Sequence, residues 1–111
     1  MSMTIVREYG INGDKKLRYN LLEAAGTNLS DMNGQRVKIT AYILTEDTNE
    51  KETTKTLKMI SEDGEFIGTR SHSFINGFER FLACMESDEC DEFEVVQQKS
   101  KNGRNYLTFK A

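Results

Sequence analysis

The chain has 111 residues, with 15 Lys and Arg against 18 Asp and Glu, a formal net charge of −3, and 37% apolar and 30% charged residues. That length fits one domain with a single modest core and excludes a second module. No stretch nears the roughly 18 apolar residues of a membrane span, Arg7, Glu8, Asp14 and Lys15 interrupt any signal-peptide core, and the negative average taken alone disfavours nucleic acid.

Residues 1–35 read as an irregular leader punctuated by Gly10, Gly13, Gly26 and Gly34. Within it Leu17, Leu21, Leu22 and Ala25 recur at helical spacing, which predicts a short helix over 15–25 stopped by Gly26. Thr4 to Tyr9 can form a short strand. From Arg36 the period becomes two: Val37, Ile39, Ala41 and Ile43 alternate with Arg36, Lys38, Thr40 and Tyr42, the pattern of a half-buried strand. A polar loop over 46–51 leads to a second strand over 53–61. The Glu62-Asp63-Gly64 turn then returns the chain as a third over 65–71. Phe74, Phe78, Phe81, Leu82 and Met85 follow as one stripe of an amphipathic helix, a core stripe, with Ser71 or Ser73 as N-cap. Cys84 is one more apolar position on that helix, and Cys90 is a thiol in the acidic loop that follows. Segments 93–99 and 104–110 alternate around Asn102-Gly103, a strong hairpin signal. The expected fold is mainly β with one helix: a five-stranded OB-like barrel in one domain, 1–111, behind the leader.

Divided along the chain, the charge stops being uniform. Residues 1–40 hold 6 basic and 4 acidic side chains, 41–94 hold 5 and 14, and 95–111 hold 4 and none. Such asymmetry points to an electrostatic partner. Enzymatic patterns are thin. Two cysteines and one histidine, His72, cannot make a four-ligand structural zinc site. Free thiols are expected in a cytoplasmic chain. His72 lies between Ser71 and Ser73 without a nucleophile elbow and is expected to be a surface residue. The acidic run from Glu86 to Glu94 lacks the spacing and glycine of a calcium loop, and no phosphate-cradling glycine loop is present. No catalytic residue, cofactor or metal is assigned.

Binding chemistry is better represented. Strand parity places Arg36, Lys38 and Tyr42 opposite the Val/Ile row, and turns Lys58 away from Leu57 and Met59. Phe66 and Arg70 share one face of the third strand. Tyr106 and Lys110 oppose Leu107 and Phe109, and the last turn adds Lys99, Lys101 and Arg104. Cations interleaved with aromatic platforms hold a single strand of nucleic acid, each stacked base contributing about 1–3 kcal/mol.

Four stretches carry a family resemblance: Leu29-Ser-Asp-Met-Asn-Gly-Gln-Arg-Val37, Thr56-Leu-Lys-Met-Ile-Ser-Glu-Asp-Gly-Glu-Phe66, Ser71-His-Ser-Phe-Ile-Asn-Gly-Phe-Glu-Arg-Phe81, and the Phe93–Phe109 hairpin with its Lys-Ser-Lys-Asn-Gly-Arg turn. Together they resemble the small single-stranded DNA-binding proteins of phages and related mobile elements of Gram-positive bacteria. The resemblance implies an OB-like barrel, no catalysis, a role in DNA replication or recombination beside proteins of those processes, and a host-cytoplasm location. It implies contacts at Lys99, Lys101, Arg104 and Tyr106. The acidic segment 86–94 departs from the family pattern.

The leading expectation is therefore a single-stranded DNA-binding protein. The alternative is an acidic inhibitor or adaptor that binds protein, with DNA mimicry as one form of it and 86–94 as its working surface. A nuclease-like reading on carboxylates stands third. An exposed strand edge leaves a route to homo-oligomers.

Overall fold

The computed structural model describes residues 2–24 and 26–111. In chain order it forms strand β1 (Ser2–Tyr9), helix α1 (Lys15–Glu23), β2 (Thr27–Asn28), a 3-10 turn (Leu29–Met32), β3 (Arg36–Thr48), β4 (Thr53–Ser61), β5 (Phe66–Thr69), α2 (His72–Met85), β6 (Glu92–Lys99) and β7 (Asn105–Lys110). Strand accounts for 45% of the chain and helix for 25%, so the molecule is mainly β. It has seven strands and two helices among the described residues, against the five and one expected. The sheet runs β2-β5-β4-β3-β6-β7, with β1 added to β3, and curls into a half-barrel.

The leader is not an irregular segment: the short helix expected over 15–25 forms as α1, and the short strand expected over Thr4 to Tyr9 lies within β1. β1 pairs antiparallel with the far half of β3, from Ser2 opposite Thr48 to Tyr9 opposite Tyr42. Asp14 caps α1 by accepting from the Lys16 and Leu17 amides at 3.1 and 3.0 Å, which satisfies two donors that a helix start leaves open. The helix stops at Glu23 with Ala24 already extended. Ala25, the expected last residue, lies outside the described residues. At the helix end the Lys58 ammonium on β4 donates to the Leu22 carbonyl, where a cation meets both an orphan acceptor and the negative end of the dipole.

Strand β3 explains why the leader folds. Ile39 pairs with Ser61 but Ala41 with Ile60, so Thr40 is an extra residue, a β-bulge. A bulge moves every later side chain to the other face. Val37 and Ile39 therefore share the main core with Tyr42 and Leu44, while Ala41 and Ile43 face out and are covered by Ile11 and Leu21. Each fully buried Ile or Leu contributes about 1.5–3 kcal/mol, and this second cluster holds the leader down.

The main core lies between the sheet and α2. Ser71 caps that helix, its hydroxyl accepting from the Phe74 amide at 3.3 Å. Phe74, Ile75, Phe78 and Leu82 are buried and Phe81 is half-buried. Met85, expected on the buried stripe, is 59% exposed; it occupies the last turn, where Glu86 (φ 53°) leads the chain away. Phe109 stands 5.2 Å from Phe81 and 5.4 Å from Phe93, ring centre to ring centre. The cysteines reverse their expected places: Cys84 is exposed and Cys90 is buried in the main core, both as free thiols. Burial pushes the Cys90 thiol up to about 11. No helix among the described residues is long and apolar enough to cross a membrane.

The sheet does not close. No ladder joins β5 to β7 among the described residues. The Ser73 hydroxyl bridges the seam by donating to the Leu107 carbonyl at 2.6 Å.

Candidate nucleic-acid interface

The seam between β5 and β7 opens into a cleft of about 610 Å³. Asn28 and Ser30 line it from the leader, Arg70 from the end of β5, and Gln97, Asn105 and Tyr106 from the last hairpin. An adjoining groove of about 390 Å³ shares Asn28 and Arg70 with the cleft and runs over Gly68 to Thr56 and Lys58. No carboxylate lines either one. In a chain with 18 Asp and Glu, that leaves a continuous strip whose formal charges are positive.

Local structure sets each wall. The Asn28 side chain accepts from the Ser30 amide at 3.1 Å and so caps the 3-10 turn. β2 lies parallel on β5 with Asn28 beside Gly68, and Gly68 also faces Lys58 across β4, giving one row across three strands. The last turn is closed by the Ser100 amide on the Arg104 carbonyl at 2.8 Å and the Gly103 amide on the Ser100 carbonyl at 3.0 Å. It holds Lys99, Lys101 and Arg104 exposed and outside any ion pair among the described residues. Tyr106 is 37% exposed, its hydroxyl donating to Gln98 Oε1 at 3.0 Å.

The eleven residues expected from the sequence divide. Arg70 and Tyr106 meet in the cleft, Lys58 lines the groove, and Lys99, Lys101 and Arg104 ride on the turn just before Asn105 and Tyr106. Arg36, Lys38 and Lys110 do not join them. Arg36 Nε donates to Glu92 at 2.5 Å. The ladder also sets Arg36 and Lys110 on either side of Glu94 and puts Lys38 opposite Glu92. Direct cross-strand neighbours share a face, so Arg36 is ion-paired and Lys38 and Lys110 each stand beside a carboxylate without pairing to it among the described residues. Phe66 is no open platform: it is half-buried against the second cluster with Leu17 and Leu22. Tyr42 is a correction of the same kind. The Thr40 bulge turns it inward to 0% exposure, and its hydroxyl donates to the Asp88 carbonyl at 2.5 Å. Burial holds that hydroxyl well above its ordinary pKa.

Sequence parity missed Asn28, Ser30, Gln97 and Asn105, which are neutral and carry no charge or aromatic signal. His72 is exposed, as expected, but it also lines the cleft beside Ser71 and Ser73, which parity did not place there; its ring Nε2 lies 3.0 Å from Asn76 Nδ2. No group of three or more His, Cys, Asp or Glu among the described residues could hold a metal ion.

No family model matches the chain, and no curated protein or solved structure matches it. The site must be read from its own geometry.

That geometry separates the cleft from the acidic loop. The cleft lies at the N-terminal end of α2 and the acidic loop leaves its C-terminal end. A helix of 14 residues spans about 21 Å at 1.5 Å per residue. The loop is also partly neutralised within the chain, with Asp88 2.6 Å from Arg7. A cation strip with one aromatic face, set apart from the acidic loop though Glu23 and Glu65 adjoin the groove at Ala24 and Gly26, can hold a polyanion and stack one of its rings.

Proposed function

We propose that this chain is a non-catalytic single-stranded DNA-binding protein with an OB-like barrel, serving replication or recombination of a phage or mobile element. The observation that carries this reading is the carboxylate-free cleft and groove, with Lys58 and Arg70 in its lining and Lys99, Lys101, Arg104 and Tyr106 at its hairpin end. A flexible polyanion with exposed bases is held by such a combination of cations and an aromatic ring. The order from Arg36 onward, three strands, a helix and two strands, supports an OB-like barrel left open between β5 and β7, with β1 and α1 as additions. The adaptor reading is less favoured, because Asp88 and Glu92 of its working surface already pair with Arg7 and Arg36.

Fluorescence anisotropy with labelled dT oligomers tests the proposal. Five phosphate contacts, from Lys58, Arg70 and the three turn cations, give a slope of log K against log salt of about −3.5. Affinity should then be micromolar or tighter at about 50 mM salt and fall by about 100-fold by 200 mM. Reversing Lys99, Lys101 and Arg104 to Glu should weaken binding strongly. Folded protein that binds no oligomer at the lower salt would sink the proposal.

A further inference from the structure

The cleft and the turn differ in chemistry. The turn carries three cations within six residues; in the cleft Arg70 stands among the amides of Asn28, Gln97 and Asn105, with the His72 imidazole and the Tyr106 ring beside them. Phosphate is recognised by positive charge, whereas the edge of a base is read by neutral donor and acceptor pairs. Asn28 Oδ1 is spent on the Ser30 amide at 3.1 Å, whereas Arg70, Gln97 and Asn105 keep their side chains free of such ties among the described residues. Arg70 takes part in no ion pair among the described residues. Gln97 contributes its backbone amide, not its side chain, to Asn33 Oδ1 at 2.8 Å. Asn105 is held through the strand ladder opposite Lys99.

We propose that the cleft takes one unstacked purine base of the bound strand, guanine before adenine, with Arg70 as the residue that sets the preference. This rests on the reading of the chain as a single-stranded DNA binder. The guanidinium fork matches guanine O6 and N7, and a carboxamide matches adenine N6 and N7. The lining holds no carboxylate, the acceptor that suits the cytosine amino group. The Tyr106 ring offers the stacking face, and the phosphates on either side follow the turn and the groove.

Competition anisotropy with dT oligomers carrying one central dG, dA or dC decides the matter. The dG oligomer should bind about fivefold or more tighter than dT alone, dA should come next, and dC should be no better than dT. Arg70→Lys keeps the charge but loses the fork, so the dG-to-dT ratio should fall toward one. The pair Gln97→Ala and Asn105→Ala should erase the dA advantage. If no oligomer binds, the single-strand reading itself falls. If all four bind alike, or dC binds tightest, the base-selecting cleft is overturned while DNA binding stands. A dG advantage that survives Arg70→Lys overturns the role of Arg70.

Discussion

Tyr42→Ala and Tyr42→Phe give opposite readouts for a core residue and for a DNA-stacking residue. The ring is 0% exposed, packs edge-on against Phe78 at 4.9 Å and lies 6.0 Å from Tyr9. Removing a buried aromatic side chain costs about 3–5 kcal/mol, cavity included, set against a typical total stability of about 5–15 kcal/mol. Phe keeps the ring and loses one hydrogen bond, about 0.5–1.5 kcal/mol. The lower end applies, because the Asp88 acceptor sits on an exposed loop and water can replace the donor. In a chain of this size 1 kcal/mol moves the melting temperature by about 4 °C. The chain lacks Trp, so urea unfolding is best followed by far-ultraviolet circular dichroism, with anisotropy on dT measured in parallel. Tyr42→Phe should bind DNA like the parent with a slightly lower urea midpoint, and Tyr42→Ala should lose several times more stability. Suppose instead that Tyr42→Ala unfolds within about 0.5 kcal/mol of the parent yet loses DNA affinity. Tyr42 would then be a surface residue, and the inward turn assigned to the Thr40 bulge would be wrong.

Three further outcomes follow from single contacts. Glu8 accepts two bonds from Arg18, at 2.9 and 2.6 Å, and this hydrogen bonding lowers its carboxyl below the ordinary value. A lowered folded-state pKa adds stability above the unfolded value and loses it as pH falls through the folded value. The parent should therefore exceed Glu8→Gln in stability near neutrality and converge with it below about pH 4; a gap constant with pH would refute this. With a thiol reagent, exposed Cys84 should react in the native protein and buried Cys90 only after unfolding, so two fast thiols in the native state would contradict the burial. Gly10→Ala should destabilise more than Gly103→Ala in urea. Both glycines have positive φ (78° and 79°), which costs a side chain about 1–3 kcal/mol, but only at Gly10 would the new Cβ also collide with the Thr40 carbonyl. Equal losses would remove that contact.

Local chemistry was readable from the sequence, and long-range pairing was not. The turns at Gly64 and Gly103 appear where Asp-Gly and Asn-Gly placed them, with φ of 85° and 79°, because a positive φ is a demand of the turn itself. The Phe74, Phe78 and Leu82 stripe is buried for the same local reason. The bulge at Thr40 is different: it exists only against Ser61 and Ile60 on the neighbouring strand, so alternation misplaced Tyr42, Ala41 and Ile43. Arg36, Lys38 and Lys110 looked like free cations until the ladder set Glu92 and Glu94 beside them. The basic hairpin was legible because its cations are neighbours in sequence. The cleft was not, since Asn28, Arg70 and the hairpin that carries Gln97 and Asn105 come from three distant segments.

Strand β3 has two regimes of substitution tolerance. From Arg36 to Thr40 every second position is exposed and open to exchange; from Ala41 to Thr45 five consecutive positions are closed. In that second stretch the outward pair, Ala41 and Ile43, must fit Ile11 and Leu21, while the inward pair, Tyr42 and Leu44, must fit the main core. The leader and the rest of the sheet are thus bound to vary together, and a graft that exchanged one without the other would leave a seam in β3 that matches neither side.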